Sequence, residues 1–233
     1  MKIFVIGDIH GAYKALLQCL QRSSFDYDKD RLIALGDVCD GWSEVQECID
    51  ELLKIKHCDY IIGNHDLWTL DWALTGRKER AWLNQGGRNT IMSYEGRPIP
   101  KAHIKFFKDA HFWLEVENKL FVHGGFDPDK PIHDQDKEAL VWDRLLINEA
   151  WDKHSLGSNR KYGRYDGIFV GHTPTSRFGS KVPVHCCNLW DLDTGAGWSG
   201  CLTIMDIHTK QFWQSDPTPE LYPDSLGRNF DSG

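Results

Sequence analysis

Five short apolar runs in this chain of 233 residues end beside a glycine and a side chain that can hold a metal, and that recurrence constrains the fold most. They are Phe4-Val5-Ile6-Gly7-Asp8-Ile9-His10-Gly11, Leu32-Ile33-Ala34-Leu35-Gly36-Asp37-Val38-Cys39-Asp40, Tyr60-Ile61-Ile62-Gly63-Asn64-His65-Asp66, Leu120-Phe121-Val122-His123-Gly124-Gly125 and Ile168-Phe169-Val170-Gly171-His172-Thr173. One such run reads as a strand-ending loop, because Asp, Asn, His and Gly are ordinary turn residues. Five of them predict buried strands whose carboxyl ends converge on one crevice, where open sheets bind ligands. Asp37 follows a glycine that lets the backbone turn closely, and its two carboxylate oxygens can bridge two cations.

The strand ends together offer Asp8, Asp37, Asn64, His10, His123 and His172, with His65 beside Asn64. Imidazole nitrogen combined with carboxylate oxygen suits manganese, iron or zinc better than calcium or magnesium. The absence of Cys from this set argues against a closed structural zinc site. An open dinuclear centre is the expectation.

In their order along the chain these motifs resemble the series of the phosphoprotein phosphatase family within the calcineurin-like metallophosphoesterases, over about residues 1 to 206. Ala81-Trp82-Leu83-Asn84-Gln85-Gly86-Gly87 and Asp193-Thr194-Gly195-Ala196-Gly197-Trp198 resemble its bacterial and phage branch. That branch includes the phage lambda type phosphatase and the symmetrical diadenosine tetraphosphate hydrolases. The resemblance implies an α/β fold, a four-layer αββα sandwich with two mixed β-sheets. It spans a domain at 1–214, with 66–111 as a specificity flap of short helices and loops. Residues 215–233, with three prolines and few apolar side chains, read as a loosely packed tail.

By the same resemblance, one divalent ion takes Asp8, His10 and Asp37, and a second takes Asp37, Asn64, His123 and His172. Manganese is the ion expected, with iron or zinc accommodated by the same donors. A water shared by two cations has a lowered pKa and can attack phosphorus directly as a bridging hydroxide. His65, oriented by Asp40, would protonate the departing oxygen. Val141-Trp142-Asp143-Arg144 resembles the segment that bears a phosphate-contacting arginine, so Arg144 and Asn64 are expected on the substrate, Arg144 through its planar fork.

The chain departs from the family pattern after Asp40. Gly41-Trp42 stands where Arg-Gly is usual, and that arginine helps hold the substrate phosphate. Among Arg77, Lys78, Arg80 and Arg88, the last follows the Gly86-Gly87 turn and is the candidate to replace it, although such a charge run is ordinarily a solvated face. The activity implied is hydrolysis of phosphate monoesters, with a phosphorylated protein or small phosphoester as substrate. The missing arginine, and Trp68, Trp72 and Trp82 in the flap as platforms for a base, keep an alternative open: hydrolysis of phosphoanhydrides such as diadenosine tetraphosphate. A third reading is a phosphate-binding module without turnover.

A formal charge of −7 argues against duplex nucleic acid as a partner. Seven cysteines without a CxxC pair fit a reduced compartment. No apolar run approaches the roughly 18 residues of a membrane helix, and Asp8 comes too early for a signal peptide, so a cytoplasmic location is expected. Periodicity further predicts helices over 12–22, 43–54 and 136–147, and hairpins of 112–116 with 119–123 and of 201–207 with 211–213.

Overall fold

The structure, a computed structural model, describes residues 1–225, 227 and 228. Its strands in chain order are β1 (Ile3–Ile6), β2 (Arg31–Ala34), β3 (His57–Tyr60), β4 (Trp113–Val116), β5 (Lys119–Val122), β6 (Gly167–Val170), β7 (Val184–Cys186), β8 (Leu189–Asp191), β9 (Thr203–Asp206) and β10 (Phe212–Gln214). The helices are α1 (Tyr13–Arg22), α2 (Val45–Leu52), α3 (Asn64–Thr75), α4 (Arg80–Trp82), α5 (Arg88–Ser93), α6 (Lys101–Asp109), α7 (Lys137–Trp142), α8 (Leu145–Ser155) and α9 (Thr218–Leu221).

The strands form two five-stranded mixed sheets, ordered β10-β9-β1-β2-β3 and β4-β5-β6-β8-β7. In the first, β1, β2 and β3 run parallel, and β9 and β10 add antiparallel pairs at one side. In the second, β5, β6 and β8 run parallel between antiparallel β4 and β7. Each sheet thus contributes three parallel strands, and the expected site residues follow their carboxyl ends.

Side-chain alternation sets the layers, since successive strand residues face opposite sides. Phe4 and Ile6 of β1 pack with Leu16, Cys19, Val45 and Ile49 of α1 and α2, while Ile3 and Val5 face the other sheet. In the second sheet Leu120, Val122, Ile168 and Val170 pack under α7 and α8, and Phe121 and Phe169 turn inward. Those two rings stack at 4.9 Å and 6° between the sheets, an arrangement worth about 0.5–1.5 kcal/mol beyond the area it buries. The result is the four-layer αββα sandwich.

Three expectations change. The helix expected over 136–147 is two helices, because Asp143 is extended (ψ 133°) and its carboxylate accepts the amides of Leu145 and Leu146 to start α8. A capping Asp stops one helix and begins the next. The sequence also reads as one strand over 184–188, whereas β7 ends at Cys186, the chain turns back at Cys187 (φ 55°) and β8 follows over Leu189–Asp191. The segment after 214 is not loose over its described residues: Ser215, Thr218 and Tyr222 are buried, and Tyr222 stacks on Trp42 at 4.8 Å. The rest of the expected tail, 226 and 229–233, lies outside the described residues.

Candidate metal centre

The carboxyl ends of six parallel strands bring Asp8, Asp37, Asn64, His123, His172 and Asp193 to one crevice. Two clusters of ligand atoms form there, Asp8 with His10 and Asp37, and Asp37 with His123 and His172. Asp37 belongs to both. The His10 Nε2 lies 3.9 Å from Asp8 and 3.7 Å from Asp37, and the His123 Nε2 lies 3.4 Å from Asp37 and 3.1 Å from Asn64 Oδ1.

The histidines are aimed by their other nitrogen. His10 Nδ1 donates to the Cys39 carbonyl at 2.8 Å and His123 Nδ1 to the Leu35 carbonyl at 2.7 Å. Both bonds turn Nε2 toward the Asp37 carboxylate, the arrangement that fixes tautomer and ring orientation in metal sites. His172 donates its backbone amide to both Asp8 oxygens at 3.3 and 3.0 Å. His10, Asp37, Asp40 and His172 all have positive φ, 50°, 51°, 62° and 65°. Such backbone is costly for non-glycine residues and collects at functional sites.

Electrostatics fit a cation centre. Burial, Asp193 and Asp37 push the Asp8 carboxyl well above its ordinary pKa. Burial acts the same way on Asp37, but His123, His65 and His10 outweigh it and hold this carboxyl well below the usual range. The Asp37 carboxylate, against the effect of burial, raises His123 to about 10. Burial and the neighbouring His123 and Arg144 charges lower His172 to about 2. A centre of buried carboxylates and imidazoles whose charges depend on one another in this way suits a divalent ion, which would replace those protons. The backbone also makes room for the ligands. A Cβ on Gly63 would run into the Asp37 carboxylate, one on Gly171 into Asp8 and one on Gly197 into the His10 ring. The donor set suits divalent ions, which Asp8, His10 and Asp37 could hold on one side and Asp37, His123 and His172 on the other, with Asn64 Oδ1 3.1 Å from His123 Nε2.

Beside the clusters, His65 Nδ1 is 2.7 Å from Asp40 Oδ2. Asp40 is 0% exposed and is held in turn by Trp82 Nε1 at 3.0 and 2.9 Å and by the Thr90 hydroxyl at 2.6 Å. The His65 amide donates to Asp37 Oδ1 at 3.0 Å, so α3 begins at the carboxylate that both clusters share.

Residues 1–196 match the sequence profile of the calcineurin-like phosphoesterases. The chain belongs to this family. Like its relatives it is a metal-dependent hydrolase of phosphoric esters. The chain is 28% identical to the serine/threonine-protein phosphatase 1 of Salmonella typhimurium, over 88% of this chain and 91% of the relative. It is 31% identical to the symmetrical bis(5'-nucleosyl)-tetraphosphatase of Xylella fastidiosa, over 91% of this chain and 90% of the relative. The crystal structure of a metallophosphoesterase from Sphaerobacter thermophilus superposes with a TM-score of 0.60 over 93% of this chain and 89% of that one; at 17% identity this is a likeness of fold. A cavity of about 730 Å³ lined by Arg144, Thr173, Arg177, Lys181 and Trp198 opens beside the His172 end of the centre.

The structure gathers Asp8, His10, Asp37, Asp40, Asn64, His65, His123 and His172 as the motifs predicted. Arg144 joins them because the break between α7 and α8 turns it toward the centre, where its Nη2 donates to the His172 carbonyl at 3.4 Å. Arg88 does not join. It is exposed on the first turn of α5 and has no hydrogen bond or ion pair to the centre among the described residues, while its neighbours Asn89 and Thr90 face inward. Two of the three flap tryptophans are not open platforms, since Trp82 is 1% and Trp72 is 9% exposed, both in the core; Trp68 is half-buried with its ring edge-on to His65 at 5.1 Å, and Trp198 is 45% exposed at the cavity.

Asp66, Thr90 and Asp193 have no role in the sequence reading, and Trp82, expected as a platform for a base, holds Asp40 instead. Asp66 closes the Gly63-Asn64-His65-Asp66 motif and Asp193 opens the Asp193-to-Trp198 stretch, so both carried a signal; Thr90 carried none.

Proposed function

We propose that this chain hydrolyses phosphate monoesters, with phosphoserine and phosphothreonine of proteins as the substrate class. It would do so with two divalent ions, manganese before iron or zinc, in a cytoplasmic setting that suits its seven free cysteines. When bound, the ions supply Lewis acidity and an activated water. Asp8, His10 and Asp37 hold one ion, and Asp37, Asn64, His123 and His172 the other. Arg144 and Asn64 steady the phosphate. His65, kept in position by Asp40, gives its proton to the departing oxygen.

The observation that carries the monoester reading is the buried His65–Asp40 pair beside the bridging carboxylate. A serine or threonine alkoxide is a poor leaving group and needs a proton, whereas a phosphate leaving from an anhydride needs one much less. The Salmonella relative named as a serine/threonine phosphatase accords with this.

One feature favours a second reading. The cavity with Arg144, Arg177 and Lys181 and the exposed Trp198 has the charge and the flat ring to take a nucleoside polyphosphate, and several relatives are named as tetraphosphatases. Rates on a phosphothreonine peptide and on diadenosine tetraphosphate, each with manganese and with chelator, separate the two. His65→Asn provides the sharper test. It should lower turnover of the peptide by about 100-fold and of p-nitrophenyl phosphate much less. An equal loss on both substrates would remove the proton-donor role.

A further inference from the structure

We propose that Arg228, which follows α9, is the guanidinium that receives the substrate phosphate at the His10 end of the centre. It takes the place of an arginine directly after Asp40. This deepens the phosphoesterase reading and rests on it.

Position 41 is closed to any side chain. Gly41 has φ 117°, and a Cβ there would lie 2.8 Å from the His10 carbonyl oxygen and 2.9 Å from His10 Cβ. The same Cβ would lie 3.6 Å from Arg228 Nε. The space toward which residue 41 points is therefore filled by a side chain remote in sequence. Gly86, with φ 101°, walls the other side of this slot: its Cβ would stand 2.6 Å from the Gly41 amide nitrogen and 3.3 Å from Arg228 Cγ.

The segment is held where it enters. Asn89 Nδ2 donates to the carbonyl oxygens of both Gly41 and Gly227, the latter at 2.9 Å, and so ties together two backbones distant in sequence. Gly227 lies against the Trp42 indole, and the Arg228 guanidinium sits 4.9 Å from the Trp198 ring centroid. From there Nη2 reaches 2.6 and 2.8 Å from the His10 ring nitrogens and 3.5 Å from His65 Nε2. It thus lies between a histidine of the Asp8–Asp37 cluster and the histidine that faces the leaving oxygen. A phosphate bound to the centre has to occupy that region.

Charge gives this placement its purpose. Asp8, Asp37, Asp40 and Asp193 crowd the crevice, and all four act on the Arg228 charge. A phosphate dianion approaching four carboxylates is repelled unless cations offset them. Arg144 does this at the His172 end, and Arg228 does it at the His10 end. A guanidinium also offers parallel N–H donors that match two phosphate oxygens, which a lysine cannot do.

The test compares the full chain with Arg228→Gln, Arg228→Lys and Asn89→Ala, all loaded with manganese. Binding of inorganic phosphate is measured by calorimetry, with p-nitrophenyl phosphate kinetics and manganese content alongside. Arg228→Gln should weaken phosphate binding and raise KM roughly 10- to 100-fold with manganese content unchanged. The Lys variant should fall between, and Asn89→Ala, which releases the tie between Gly41 and Gly227 but keeps the guanidinium, should shift both in the same direction by less. Unchanged phosphate affinity in Arg228→Gln would overturn the proposal. So would tighter manganese binding in that variant, which would make Arg228 a competitor of the metal. Normal hydrolysis by Arg228→Gln removes this role and leaves the phosphoesterase reading intact. A wild-type chain that cleaves no ester yet binds phosphate through Arg228 removes that reading and leaves this one.

Discussion

Asp66 holds Asp37 by its backbone: Asp66 Oδ2 accepts the Asp37 amide at 2.9 Å, while the Asp37 carboxylate turns into the centre, its Oδ1 accepting the His65 amide at 3.0 Å and its Oδ2 facing His123 and His10. The same carboxylate accepts Gly63 N at 2.9 Å, the Tyr60 hydroxyl at 2.7 Å, and the amides of Val38 at 3.0 Å and Cys39 at 3.3 Å. One buried side chain thus satisfies the donors of the loop that carries the bridge. Asp66→Ala leaves those amides buried without partners. We expect a loss of about 3–5 kcal/mol in denaturant unfolding and about 10- to 100-fold weaker manganese binding. Full stability and full metal affinity in this variant would show that the loop holds itself.

Gly63 lies so close to Asp37 that a methyl group has nowhere to go. Gly63→Ala should displace the bridging carboxylate and reduce bound manganese below two ions per chain while the circular dichroism spectrum stays native. Gly76→Ala is the contrasting variant. Its Cβ meets nothing within 4 Å, although φ 74° makes it mildly strained, so it should lose stability and retain metal.

Ion removal has a calculable effect on stability. Asp8, Asp37 and Asp193 are buried together, and burial with mutual repulsion raises the Asp8 carboxyl. Ions that bind only the folded chain stabilise it by about 2.7 kcal/mol at 100 times Kd. For a chain of this size that is about 5–10 °C in Tm. Thermal melts with manganese and with excess chelator read this directly, and coincident melts would count against a metal centre at Asp37.

Glu51 makes stability depend on pH away from the centre. It is buried on α2, where Tyr27 reaches its carboxylate at 2.6 Å, Lys54 at 2.7 Å and Tyr13 at 3.3 Å. Burial works to raise this carboxyl, but Lys54 and the two hydroxyls outweigh it and leave its pKa below the ordinary glutamate value. A carboxyl depressed in the folded state contributes fully above its unfolded pKa, about 4.3, and loses that contribution as pH falls through the lower folded value. Glu51→Gln should therefore cost about 1–2 kcal/mol at pH 7, with the gap closing below about pH 4. A gap that stays constant from pH 7 to pH 3.5 would contradict this account.

The sequence by itself determined the strands and the candidate ligands that leave them. Runs such as Leu32 to Leu35 followed by Gly36-Asp37 are local patterns, and a strand end fixes where the next residue points. His65 and Asp40 were legible for the same reason, since each lies within a few residues of a ligand. Tertiary structure alone decided the residues that act across chain distance. Arg144 faces the centre because Asp143 breaks a helix whose periodicity runs on unbroken. Arg88 turns outward while Asn89 and Thr90 turn inward, because the packing of α5, and not its composition, chooses the face. Trp72 and Trp82 serve the core because the flap folds onto it, and Arg228 arrives beside Gly41 from the far end of the described chain. Periodicity reports which side of an element is apolar. It carries no information on which distant backbone will fill the space beside a glycine, and only packing settles that.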